Sequence, residues 1–156
     1  MGTFIAVNWF KIAGLIVTAF GVWKYFDSRR RELKWKKTEF LFAESKYLSD
    51  DEDLSECIQI LEDRHPKYKI KDIYPDVDEN ATNELLEYRH KFEKLLNFFD
   101  RHAYAMYSQK TVEKVDLEYY GWYLKLLKSN PNVIEYCNTY GFSDVVKLAN
   151  EITWSG

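Results

Sequence analysis

The three histidines of this chain each follow an arginine, in Glu-Asp-Arg-His (62–65), Glu-Tyr-Arg-His (87–90) and Phe-Asp-Arg-His (99–102). Glu62 with His65, and Glu87 with His90, are Glu-x-x-His pairs. On a helix that spacing puts a carboxylate and an imidazole on one face, an arrangement that di-iron helical bundles use twice. Such a site needs two more carboxylates from other helices, for which Glu39, Glu44 and Glu118 can be nominated, and Pro66 ends the helix directly after His65. The competing reading is a solvated polar face, because Glu87, His90, Glu93, Asn97 and Asp100 step by three or four opposite an apolar stripe. We adopt the second reading and expect neither a metal nor another cofactor. His102 beside Asp100 and Arg101 has the chemistry of a general base, but no nucleophile or substrate pocket accompanies it in the sequence. Phosphate-loop, dinucleotide, HExxH and GxSxG motifs are absent. The pattern therefore leans away from an enzyme and identifies no small-molecule substrate; a metal-dependent enzyme or sensor built on the paired Glu-x-x-His is the alternative.

A second cluster is aromatic, Tyr-Tyr-Gly-Trp-Tyr at 119–123. Rigid aromatics suit binding surfaces, and in a small helical body they also fill the core. Tyr119, Tyr120 and Trp122 are the candidates for an interaction surface.

The elements that position these residues fall into two parts. From Phe4 to Phe26 run 23 residues in which only Lys11 and Lys24 are charged, about 34 Å of helix, enough to cross a ~30 Å hydrocarbon core. Between Ile12 and Trp23 the only polar side chain is Thr18, so no polar stripe of helical period exists. Trp9 and Phe10 near one end, and Trp23, Tyr25 and Phe26 at the other, have the placement of interfacial aromatic belts. Lys11 reads as a snorkelling residue, two turns from the start, or as a charge that pairs with another subunit's helix. Gly14, Thr18 and Gly21 share one helix face and form a candidate pairing surface. Residues 1–26 are thus expected to be a transmembrane helix.

Seven Lys and Arg follow between Lys24 and Lys37. Positive charge near a span is retained on the cytosolic side, and a cleavable signal peptide carries its charges before the apolar run. The expected topology is single-pass, amino terminus outside and remainder cytoplasmic. Arg29, Arg30, Arg31, Lys34, Lys36 and Lys37 could also grip anionic headgroups. The acceptor sequence Asn80-Ala81-Thr82 would then stay unglycosylated, since it can be used only on the lumenal side.

The net charge of −3 conceals a split: residues 1–37 hold eight Lys/Arg against two Asp/Glu, and residues 38–156 hold 14 against 23. Nucleic-acid binding needs clustered cations on the binding surface, so the acidic body is not expected to bind it. Residues 27–48 read as a basic collar and helical stalk, and 49–156 as an acidic, all-helical domain. Helix starts are signalled by Ser49 with Glu52 as a capping box, by Thr82, Asp116, Ser143, and by Asn130 with Pro131 at the first position. Apolar stripes continue them, as in Leu54, Cys57, Ile58, Leu61 and in Leu85, Phe92, Leu95, Leu96, Phe99, Ala103, Met106. Residues 66–80, with Pro75, read as a long connection or a short edge strand. About five helices including the stalk are expected, with Cys57 and Cys137 as buried thiols.

The blocks LLNFFDRHA and NPNVIEYCNTYGF carry a resemblance, over roughly residues 85–150, to an uncharacterised bacterial family of small membrane-anchored helical proteins. The resemblance implies location and fold, and no catalytic residues. The expected role is a membrane-anchored interaction module, or a small subunit of a membrane complex, whose partners are lipid and another protein or a second copy.

Overall fold

The computed structural model describes residues 2–73 and 82–152, with the backbone alone for 2–8, 10, 72 and 73. All elements among the described residues are helical: α1 (Gly2–Asp50), α2 (Glu52–Leu61), α3 (Ile70–Ile73), α4 (Asn83–Tyr107), a 3-10 segment (Lys114–Tyr120), α5 (Gly121–Lys128), α6 (Pro131–Thr139) and α7 (Ser143–Glu151). The described residues are all-α, in eight pieces against about five expected: the five signalled helix starts and the stalk already make six, a 3-10 segment precedes α5, and one turn at Ile70 replaces the expected connection or strand. The rest of that stretch, including Pro75 and the acceptor asparagine Asn80, lies outside the described residues.

Two compact units divide the chain, Met1–Phe40 and Leu41–Gly156. The first consists of α1 residues. Its side-chain bonds are local: Thr18 Oγ1 donates to the Gly14 carbonyl at 2.9 Å, Arg29 to the Tyr25 hydroxyl at 3.2 Å, Arg31 Nε to Asp27 at 2.9 Å, and Lys36 pairs with Glu32 at 2.7 Å. Such exposed, local contacts contribute little to stability. Every described side chain from Lys11 to Phe26 is exposed. Among the described residues no helix is long and apolar enough to cross a membrane. The span expected over residues 1–26 therefore gains no support from them; it draws on residues 4–8 and 10, whose side chains lie outside those described.

In the second unit α4 is central, packed against α2, α3 and α7, while α5 packs against α6 and α7. The core contains Leu54, Ile60, Phe92, Leu95, Leu96, Phe98, Phe99, Leu117, Leu124, Leu127, Val133 and Leu148, all between Leu41 and Ile152. Both cysteines are buried and unbridged, and burial pushes each thiol up to about 12. At pH 7 they are inert apolar groups rather than nucleophiles.

Several helix ends fall where the sequence places them. The Thr82 hydroxyl accepts the Leu85 amide at 3.3 Å, and Asn130 Oδ1 accepts that of Val133 with Pro131 at the first position. Others need correction. Ser49 does not cap α2, since α1 runs on through Asp50 and the Ser49 hydroxyl donates to the Lys46 carbonyl at 3.0 Å. The cap is Asp51, whose carboxylate accepts the Leu54 amide at 3.2 Å and also pairs with Lys94 of α4 at 2.6 Å. The tertiary ion pair favours Asp51 over the serine two positions earlier. Asp116 likewise caps no α-helix. It sits at the third position of the 3-10 segment and accepts the Glu113 amide at 2.8 Å. Ser143 does begin α7, as expected, with Phe142 as the cap residue before it.

Asp51 thus serves two elements at once. Asp51→Ala should lower the unfolding free energy by about 1–2 kcal/mol through loss of the cap. Asp51→Asn keeps a cap acceptor and forfeits only a partly exposed pair, so it should cost under about 1 kcal/mol. Urea denaturation of the two variants checks the ordering.

Candidate functional site

The second unit contains an open cleft of about 450 Å³, between the end of α1, α2 and the segment around Tyr119. Ser45, Leu48 and Ser49 of α1, Ser55, Ile58 and Gln59 of α2, and Arg64, Tyr119 and Tyr123 line it. Arg64 is the one charged side chain of that lining, although the surrounding body is acidic.

Local backbone chemistry puts Arg64 there. Helix α2 ends at Leu61, four residues before the expected stop, because Asp63 takes a left-handed conformation, φ 58°. That residue turns the chain back, and the Arg64 and His65 amides both donate to the Gln59 carbonyl, at 2.8 and 3.1 Å. A left-handed residue just past the helix end is a common terminator; aspartate tolerates it better than most. Gln59 and Arg64 are thereby neighbours on the cleft wall.

Glu62 links Arg64 to α5. Glu62 accepts the indole N–H of Trp122 at 3.3 Å through one oxygen and pairs with Arg64 through the other. Its side chain is only 15% exposed, so Glu62 is largely committed to these two partners. Lys125 lies over the Trp122 ring, 5.6 Å from its centroid.

The metal candidates separate in this geometry. Glu62 is the residue that closes α2 and His65 lies beyond it, so the first Glu-x-x-His pair shares no helix face. His65 accepts the amides of Lys67 and Tyr68 at Nδ1, at 3.3 and 3.0 Å, and stacks on Tyr68 with ring centroids 5.9 Å apart. Glu87 and His90 do share a face of α4, where both are exposed; Glu87 pairs with Lys91 at 3.5 Å and His90 faces Glu93 at 3.6 Å. No group of three or more His, Cys, Asp or Glu side chains among the described residues is placed to hold a metal ion.

The aromatic cluster divides three ways. Tyr119 is 75% exposed and lines the cleft; Tyr120 is buried in the core; Trp122 is half-buried and bonded to Glu62. Tyr123, the last residue of the cluster and not among the expected surface candidates, joins Tyr119 on the cleft wall. Its signal was available, because positions 119 and 123 are one helical turn apart.

His102, weighed as a general base, is wholly buried. Its ring lies 4.5 Å from that of Phe98 and 4.9 Å from that of Tyr120, and Nδ1 is 2.8 Å from the Phe98 carbonyl oxygen. A carbonyl only accepts, so Nδ1 carries the proton. Burial holds the imidazole below its ordinary range, against the opposing pull of that hydrogen bond and of Glu44. Substrate has no access to it, so its role is structural. Arg101, its neighbour, instead binds Glu44 through two bonds of 3.0 and 2.8 Å and lies over Tyr47.

In the first unit, the candidate anchor residues Trp9, Lys11, Trp23 and Tyr25 are exposed, as are Gly14, Thr18 and Gly21. A Cβ added at Gly14 or Gly21 would meet nothing within 4 Å. Of the collar, Arg29, Arg30, Arg31, Lys34 and Lys36 are exposed and Lys37 is partly covered.

Comparison with protein-family models finds no match, and neither the curated proteins nor the solved structures offer one.

Proposed function

We propose that the protein is a single-pass, membrane-anchored interaction module: α1 holds it in the bilayer, and the acidic helical unit engages another protein on the cytosolic side. The observation that carries this reading is the exposure of Ile12, Leu15, Ile16, Val17, Phe20, Val22, Trp23 and Phe26 on all sides of α1, directly before the basic run. Monomeric proteins rarely leave so much contiguous apolar surface in water. A helix apolar all round belongs in lipid or in a protein interior. The sequence before Lys11 extends the run to Phe4, and the cations after Phe26 select the cytosolic side. The cleft carries no activated nucleophile or base, so binding suits it better than catalysis. A second copy of the chain is the other admissible partner, through the face of Gly14, Thr18 and Gly21.

Flotation tests the anchor. Membranes from expressing cells, washed with alkaline carbonate, should float with the full chain attached. Release of a monodisperse protein into detergent-free buffer would overturn the proposal. Synthesis with microsomes tests the orientation: Asn80 should remain unmodified, and a glycosylated product would place the acidic unit in the lumen.

A further inference from the structure

We infer that the cleft lined by Arg64, Tyr119 and Tyr123 is a docking site for an acidic peptide segment of another protein, whose carboxylate Arg64 reads; this deepens the interaction-module reading and rests on it. Charge complementarity selects the ligand. The lining holds one cation and no anion, within a region where Asp and Glu outnumber Lys and Arg by 23 to 14. A basic ligand would be drawn to the acidic surface outside the cleft, and only an anionic one finds its complement inside it.

The polar groups around Arg64 agree. The hydroxyls of Ser45, Ser55, Tyr119 and Tyr123 and the Gln59 amide can all donate to a carboxylate or to a peptide carbonyl. Arg64 uses one of its guanidinium nitrogens on Glu62, which leaves donors of its planar fork for a second carboxylate. Glu62 meets that fork at one nitrogen, and the Arg64 side chain is 68% exposed and open to a ligand. A phosphate group is the less suitable anion, since phosphate sites generally gather several cations and this lining has one.

The aromatic wall supplies the rest. Tyr119 is 75% exposed, and tyrosine rings offer rigid contact area with few torsions to freeze, the chemistry of peptide-binding surfaces. Leu48 and Ile58 line the same cleft. The matching ligand is a short segment with Glu or Asp beside an apolar residue, its chain lying against Tyr119 and Tyr123.

The experiment uses the full chain in mild detergent and three pools of capped, fluorescent hexapeptides. The pools carry glutamate, glutamine or lysine next to a central leucine, with the other positions randomised. Fluorescence polarisation should show binding of the glutamate pool, at least tenfold weaker binding of the glutamine pool and none of the lysine pool. Arg64→Gln should weaken the glutamate pool by about ten- to hundredfold and erase its advantage over glutamine, while Tyr119→Ser should weaken both pools alike. Far-ultraviolet circular dichroism confirms that each variant is folded, and Arg64→Lys, which keeps the charge, should recover part of the binding. Equal binding of the glutamate and glutamine pools, wild-type binding by folded Arg64→Gln, no binding by any pool, or competition by inorganic phosphate without peptide binding would each overturn the inference. Flotation reads the anchor independently of Arg64, so a failed cleft and a failed anchor are told apart.

Discussion

Replacing Phe98 with alanine should lower the unfolding free energy by about 3–5 kcal/mol, the usual range for deleting a fully buried aromatic ring. Phe98 is 0% exposed. Its ring meets those of Phe99, His102 and Tyr120 edge-on or tilted, with centroids 5.2, 4.5 and 5.4 Å away. These neighbours come from two elements, α4 and the 3-10 segment, and are themselves rigid rings, so the cavity closes poorly after truncation. Single domains have only about 5–15 kcal/mol in total, so the variant stands close to unfolding at ambient temperature. Tyr104→Ala on the same helix is the control, because Tyr104 is 54% exposed and surface changes typically stay within about 0.5 kcal/mol. Urea titration of the full chain in detergent, followed by near-ultraviolet circular dichroism, measures both. A loss below 1 kcal/mol at Phe98 would mean that the four-ring cluster is not packed as described.

Acid should destabilise the same cluster through His102. Burial depresses the folded-state affinity of its imidazole for a proton, from an ordinary pKa of 6.5. Between the depressed folded value and 6.5 the unfolded chain binds the proton and the folded chain does not. Stability therefore rises with pH across that window and is fully present above it. As pH falls below 6.5 the contribution should drop by up to about 1.4 kcal/mol per pH unit until the folded value is reached. A protonated imidazole would sit against the Phe98 and Tyr120 rings, away from water. Denaturation midpoints recorded from pH 8 to 5 test the slope, and NMR of the ring nitrogens should find the Nδ1–H tautomer at pH 7. A neutral tautomer with the proton on Nε2, or stability unchanged from pH 8 to 5, would contradict this account.

Helices α4 and α6 were legible before any tertiary structure, because their signals are local. Thr82 and Asn130 satisfy amides three residues away, Pro131 occupies the one position where its missing N–H costs nothing, and Phe92 to Ala103 repeat at helical spacing. The same local rules misplaced two caps. Ser49, Asp50 and Asp51 are all competent by type, and the pair with Lys94, 43 positions along the chain, decides among them. The end of α2 was misjudged for a related reason: proline at 66 is a strong signal, yet left-handed Asp63 stops the helix first.

The candidate site was less legible than the fold. Glu62 and His65 match a metal spacing that holds only while the helix lasts, and the helix ends between them and the preceding turn. His102 carries the same Arg-His signature as His65 and His90, yet it alone is in the core. The difference is partly local, since Phe98 and Phe99 lie four and three positions before His102 on the apolar stripe of α4, and Tyr120 from another element completes its surroundings.

By itself the sequence determined the helical class, most element positions, the uncharged run before the basic collar and the charge split between collar and body. All of these depend on residues within a turn or two of one another. Tertiary structure alone decided that Glu62 bonds Trp122, 60 positions away, that Tyr119 faces the cleft while Tyr120 fills the core, and that Asp51 rather than Ser49 begins α2. Each of those outcomes is a competition among chemically equivalent neighbours, settled by a partner whose place depends on how the whole chain packs.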